Sequence, residues 1–89
     1  MGALLVHRGY GEIKRVYVAQ AARGQGIARR ILEALIAQAR VEGLAVLRLE
    51  TGIHQPEALA LFAALGFKRI GPFGDYPDDP LSIFMEMKP

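Results

Sequence analysis

The sequence predicts an α/β domain: a mixed sheet of about five strands with two helices. Three observations lead there. Two stretches repeat their apolar residues at helical spacing and each runs into a glycine. Short, apolar, strand-like segments flank them. The resulting order, strand, strand, helix, strand, helix, strand, strand, alternates in the middle and so requires at least one parallel crossover. A length of 89 residues argues for a single domain over 1–89.

The elements follow in order. Ala3 to His7 is a short apolar strand, and Arg8-Gly9-Tyr10-Gly11 has the glycine content of a tight turn. Glu12 to Val18, carrying Ile13, Val16, Tyr17 and Val18, is the second strand of a hairpin. Ala19 to Gly26 is a loop into a helix. From Ile27 the apolar residues recur as Ile27, Ile31, Leu35 and as Ala28, Leu32, Ile36, one buried stripe with Glu33 and Arg40 off it. Gly43 ends this helix through a backbone conformation that other residues avoid. Leu44 to Glu50 is nearly continuous in apolar residues at its start, as a central strand covered on both faces would be.

The second helix begins near Gln55-Pro56, where a missing N–H costs nothing. Its apolar residues are Leu59, Leu61, Phe62 and Leu65, and Gly66 closes it. Phe67 to Ile70 is a strand, Gly71 to Pro80 a loop rich in glycine and proline that contains Tyr76, and Leu81 to Met87 the last strand.

Composition narrows the function classes. Apolar residues make up 52% of the chain, yet no run approaches the ~20 residues of a membrane span. A start of Met1-Gly2-Ala3 lacks the pattern of a signal peptide, so the expected location is cytoplasmic. A net charge of +2 with interspersed signs gives no reason to expect nucleic-acid binding. Without cysteine, disulfides and thiolate metal sites are excluded. His7 and His54 make no metal constellation; each is a possible base, with a structural or surface role the plainer reading.

The segment from Val16 to Ala28 runs from strand through glycines into a helix. This places unpaired backbone N–H groups and the positive end of the helix dipole together, which suits an anionic group. Gly24 and Gly26 allow close backbone approach, and Arg23 and Arg29 can add charge-assisted bonds. The segment is not a P-loop, since no Gly-Lys-Ser/Thr follows, and it lacks the third glycine of a dinucleotide fingerprint. A phosphate-containing ligand and an ordinary strand-to-helix turn both remain open on these residues alone.

The run from Val16 to Ala28 resembles the acetyl-CoA motif of the GNAT superfamily of N-acetyltransferases, Gln/Arg-x-x-Gly-x-Gly/Ala, with Ala21 where that motif has Gln or Arg. A second stretch, Gln55 to Phe67, is similar to that family's Asn-x-x-Ala-x-x-Leu-Tyr-x-x-x-Gly-Phe helix, and the two stand in the family's order. The resemblance runs from about Glu12 to the C-terminus. It implies a truncated GNAT-like fold that begins in the family's third strand. It implies acetyl-CoA as co-substrate, with pyrophosphate on the N–H groups of Arg23, Gly24, Gln25, Gly26, Ile27 and Ala28 beside Arg29. It also implies pantetheine along Val16, Tyr17 and Val18, and an amide contact from Gln55. Phe62 stands where many members carry a tyrosine that protonates the leaving thiolate. Its ring packs in the core or lines the thioester channel; water or Tyr76 then supplies the proton, or catalysis is weak.

The family's reaction is direct attack of a primary amine, small or on a protein, on the thioester in a ternary complex. The chain suits it, since Thr51 and Ser82 are the only aliphatic hydroxyls and no cysteine is present for an acyl-enzyme. Glu12 is the expected base and Tyr76 the candidate acid; backbone N–H near Val18 would polarise the carbonyl. The alternatives are a catalytically silent CoA-binding module or subunit of a larger assembly, and a structural domain whose glycines only turn. An open sheet edge implies a partner, here a homodimer with or without exchanged strands.

Overall fold

The computed structural model describes residues 3–14, 26–54 and 56–89. Its elements are β1 (Ala3–His7), β2 (Tyr10–Lys14), α1 (Ile27–Val41), β3 (Leu47–Gly52), α2 (Pro56–Ala64), β4 (Lys68–Ile70) and β5 (Ser82–Met87). The strands form one mixed sheet in the order β1-β2-β3-β5-β4. The fold is the expected α/β architecture with a five-stranded sheet and two helices.

Arg8 and Gly9 alone make the first turn, with Gly9 at φ 91°, so His7 pairs with Tyr10 across it. Tyr10 and Gly11 therefore belong to β2 rather than to the turn. β2 and β3 are parallel, joined through α1. β5 is antiparallel to both β3 and β4 and lies between them, so α2 also connects two parallel strands.

Both helices end on the same device. Gly43 at φ 73° lets its N–H reach Arg40 O at 3.1 Å while Leu44 N–H reaches Ala39 O at 3.0 Å. Gly66 at φ 103° repeats this, with its N–H on Ala63 O at 3.1 Å and Phe67 N–H on Phe62 O at 3.0 Å. These are Schellman closures, which satisfy orphan carbonyls and bring the residue after the glycine against the last turn. They correct two expected strand starts. Leu44 and Phe67 are apolar because they close helices, and the strands begin later, at Leu47 and Lys68.

Alternation along the strands separates two faces. Ile13, Leu47, Leu49, Ile83 and Met85 lie on one, and both helices cover it with Leu32, Ile36, Ala39 and Phe62. Burying each of the larger side chains contributes about 1.5–3 kcal/mol. Gly11 belongs to this face: a Cβ there would stand 2.6 Å from Leu44 Cδ1 and 3.0 Å from Leu47 Cδ2, so the missing side chain makes room for both leucines. The opposite face carries His7, Tyr10, Glu12 and Lys14 on the hairpin, then Arg48, Phe84 and Glu86. Across four strands the paired positions Glu12, Arg48, Glu86 and Lys68 alternate in sign. The loop from Gly71 to Pro80 folds back over part of this polar face, and Phe73, 7% exposed, anchors it.

Candidate active site

The polar face converges on Glu12, which is only 3% exposed. Its Oε2 accepts a hydrogen bond from the Tyr76 hydroxyl at 2.5 Å, and its Oε1 lies 2.8 Å from His7 Nε2. Lys14 Nζ stands 3.7 Å from Oε2 and 5.3 Å from the centre of the Tyr76 ring. Both oxygens of a buried carboxylate are thus occupied, as burial of a charge requires.

Local chemistry assembles this group. The two-residue turn places His7 diagonally across from Glu12 on one face, within reach of a long side chain. His7 stacks on Tyr10 with centroids 4.8 Å apart. Tyr10 meets the edge of Phe73, and Phe73 in turn contacts Tyr76 and Phe84 at 5.2 and 5.7 Å. This run of rings carries the loop across the sheet and delivers Tyr76 to Glu12 from 64 residues away. Gly74 at φ 57° makes the necessary bend, with Tyr76 N–H on Phe73 O at 3.2 Å. Arg48, on the same face, flanks the group, its guanidinium 4.7 Å from the Tyr10 ring centre and its Nε 3.0 Å from Glu86 Oε1.

Burial, and then the bond to Glu12, hold the Tyr76 phenol above its ordinary value of 10.0, with the Lys14 charge opposing. At neutral pH it is a hydrogen-bond donor that keeps its proton. Absorbance titration should show the Tyr76 phenol ionising above 10.0, and Glu12→Gln should lower that midpoint part of the way, leaving the larger share due to burial. The stability that this raised value confers is full below pH 10.0 and is lost as pH rises through the folded value. A Tyr76 midpoint unmoved in Glu12→Gln would show that the two groups do not interact in solution.

The glycine segment is described only at its end. Gly26 is the N-cap of α1 in the left-handed region at φ 72°, with no side-chain cap and no acidic residue in the first turn. Among the described residues nothing caps the first N–H groups of α1, so they can donate to an anionic oxygen, and the helix dipole favours one there. These features fit a phosphate-bearing ligand. Arg29 is exposed and sits 3.6 Å from Glu33 Oε2, an exposed pair worth under about 1 kcal/mol that leaves the guanidinium available. Ile27 and Ala28 are half-buried on the helix. Val16, Tyr17, Val18, Arg23, Gly24, Gln25 and Gln55 lie outside the described residues.

Phe62 is a core residue, 6% exposed, edge-to-face with Phe67 at 5.8 Å. This is its packing role; its side chain is not turned toward Glu12 and Tyr76. Asp79 accepts the Leu81 N–H at 2.8 Å and shapes the turn into β5, while Asp75 and Asp78 are exposed. Among the described residues no cluster can hold a metal ion, and no helix is long and apolar enough to cross a membrane. His7 was the partner least visible in sequence, because its relation to Glu12 depends on the length of the turn; the one signal was a histidine and a glutamate flanking a glycine-containing turn.

A helix-backed mixed sheet with a buried carboxylate, a phenol bonded to it and an uncapped helix start defines a ligand-binding α/β domain with acid–base capacity. The profile of the acetyltransferase (GNAT) family matches residues 1–67, and the chain belongs to that family. It is 53% identical to the IAA acetyltransferase of Azospirillum brasilense over 78 residues, which are 88% of this chain and 51% of that one. A Klebsiella pneumoniae crystal structure, assigned provisionally as an acyl-CoA N-acyltransferase, superposes with a TM-score of 0.92 at 45% identity, covering 98% of this chain and 61% of the other. A chain of the NatC complex bound to Gag peptide and CoA superposes with a TM-score of 0.80 at 26% identity, over 98% of this chain and 57% of that one. The chain spans about half the length of the curated relatives it matches, 51% and 54% for the first two.

Proposed function

We propose that the chain carries the acetyl-CoA-binding and proton-transfer parts of an N-acetyltransferase acting on a primary amine. The observation that carries this reading is the Tyr76–Glu12 hydrogen bond: a basic group on the strand that leads toward the glycine segment and an acidic group from the loop before β5, held at 2.5 Å. Family membership and the uncapped start of α1 support it.

Acetyl-CoA, when bound, supplies the acetyl group as a thioester. The N–H groups at the start of α1 from Gly26, with Arg29, would hold its phosphates. Glu12 would take a proton from the acceptor's ammonium. Tyr76 holds its proton at neutral pH and so can act as an acid. Once Glu12 is protonated, the bond between them can reverse. Oε2–H then donates to the phenol oxygen and frees the phenol O–H to turn to a leaving thiolate. This couples the base and the acid through one hydrogen bond and asks nothing of Phe62. The reading of a CoA-binding module without catalysis is disfavoured by the same pair, since binding alone has no need of a buried carboxylate.

The acceptor is a small amine or a protein amino group. Exposed Leu5 and Val6 on the edge strand β1, 42% and 61% accessible, support a partner along that edge, and mass in solution tests the homodimer. Calorimetric titration with acetyl-CoA tests the ligand. Gly26→Trp should abolish binding, because a bulky side chain would stand at the helix start. Gly26→Ala is the control, since it bears the same backbone strain of about 1–2 kcal/mol at φ 72° with little obstruction. Unchanged binding in Gly26→Trp would remove the helix start from the ligand site.

A further inference from the structure

We propose that His7 is the proton outlet of Glu12, passing to solvent the net proton that acetyl transfer releases. The inference rests on the acetyl-transfer reading above. An ammonium that becomes an amide gives up two protons from its nitrogen, and the leaving sulfur takes up only one. The other must reach water. Glu12 collects it in a place from which water is nearly excluded, its side chain being 4% exposed.

Three side chains touch the Glu12 carboxylate among the described residues, and they differ in what they can do. The Tyr76 hydroxyl already donates to Oε2 and serves the acid half of the reaction. Lys14, as an ammonium, has donors and no acceptor. His7 has a ring nitrogen 2.8 Å from Oε1 and a side chain 39% exposed, so it connects the buried oxygen to water. An imidazole can take up a proton on one ring nitrogen and release it again. In its Nδ1–H form, His7 accepts at Nε2: the Oε1–H bond breaks, the Nε2–H bond forms, and the carboxylate is regenerated beside an imidazolium. The ring then gives one proton to bulk water and is neutral again. No further reactant is needed.

The surroundings hold the ring to this task. Among the described residues β1 pairs with β2 alone, and the titratable groups that β2 carries on the face of His7 are Tyr10, Glu12 and, further along the strand, Lys14. Tyr10 fixes the imidazole plane by stacking at 4.8 Å, and Arg48 lies over the same Tyr10 ring at 4.7 Å. The partly exposed position makes substitution at 7 tolerable to the fold.

Two variants test this, assayed by thiol release from acetyl-CoA with simple primary amines as probes: an alkylamine, an arylalkylamine and a peptide with a free α-amino group. His7→Gln keeps a donor for Oε1 but carries no proton, and His7→Ala leaves room for added imidazole. Both should lose about tenfold or more in kcat with KM for acetyl-CoA unchanged, and imidazole in the buffer should restore His7→Ala and not His7→Gln. Wild-type kcat in His7→Gln, or no rescue of His7→Ala, overturns the proton outlet and leaves the acetyl-transfer reading standing. A wild-type chain that is inactive with every probe overturns both.

Discussion

Replacing Glu12 with Gln should cut kcat by a factor of about 10²–10⁴ while leaving the protein as stable as before or more so. The substitution keeps the shape and removes the charge. A carboxylate that is 3% exposed has lost most of its hydration, and the fold offsets that loss with His7, Tyr76 and Lys14. The amide needs no such compensation. Its oxygen can accept from one neighbour, and its NH₂ can donate to the Tyr76 oxygen or to a neutral His7 nitrogen. Removing one partner of a buried pair is costly when it strands the other as a buried charge, but His7 and Lys14 are 39% and 40% exposed and keep access to water. Lost activity with retained or raised melting temperature is the signature of a group kept for chemistry at a cost in stability. Activity of Glu12→Gln within tenfold of wild type would show that another group or a water chain takes the proton.

That pair also marks the boundary of what the sequence reveals. Glu12 and Tyr76 are each recognisable as acid–base candidates, one at a strand start and one in a loop. Their contact is not, because it depends on Phe73 folding the loop across the sheet and on Gly74 bending it at φ 57°. His7 is hidden for a different reason. Whether it sits diagonal to Glu12 or on the opposite face changes with one residue in the turn, and the sequence Arg8-Gly9-Tyr10-Gly11 allows turns of more than one length. Helices were legible because their stripes are long and their ends carry glycine. Strand starts were not, since Leu44 and Phe67 have the apolar character of strand residues while their N–H groups close helices. In each case the sequence shows what a residue prefers, and a long-range bond decides where that preference is used.

Phe62→Ala should be the most damaging single change to the fold, about 3–5 kcal/mol by denaturant unfolding. Several losses coincide at this position. The ring is 6% exposed within the main core, so truncation leaves a cavity beneath α2. It is also the residue whose carbonyl accepts the Phe67 N–H at 3.0 Å, and its ring meets Phe67 edge-to-face at 5.8 Å. That ring contact is the apolar half of a Schellman closure. Without it the end of α2 frays, and the start of β4, one residue after Phe67, loses its anchor. A domain of this size has roughly 0.05–0.15 kcal/mol of stability per residue, so such a loss takes a large part of the total. Phe62→Leu, which keeps most of the volume, should cost much less. The measurement also separates the two roles open to this side chain. A ring that lined a thioester channel would leave solvent behind when truncated, and Phe62→Ala would then weaken acetyl-CoA binding with a cost to stability below about 1 kcal/mol. The packing described here requires the reverse order of effects.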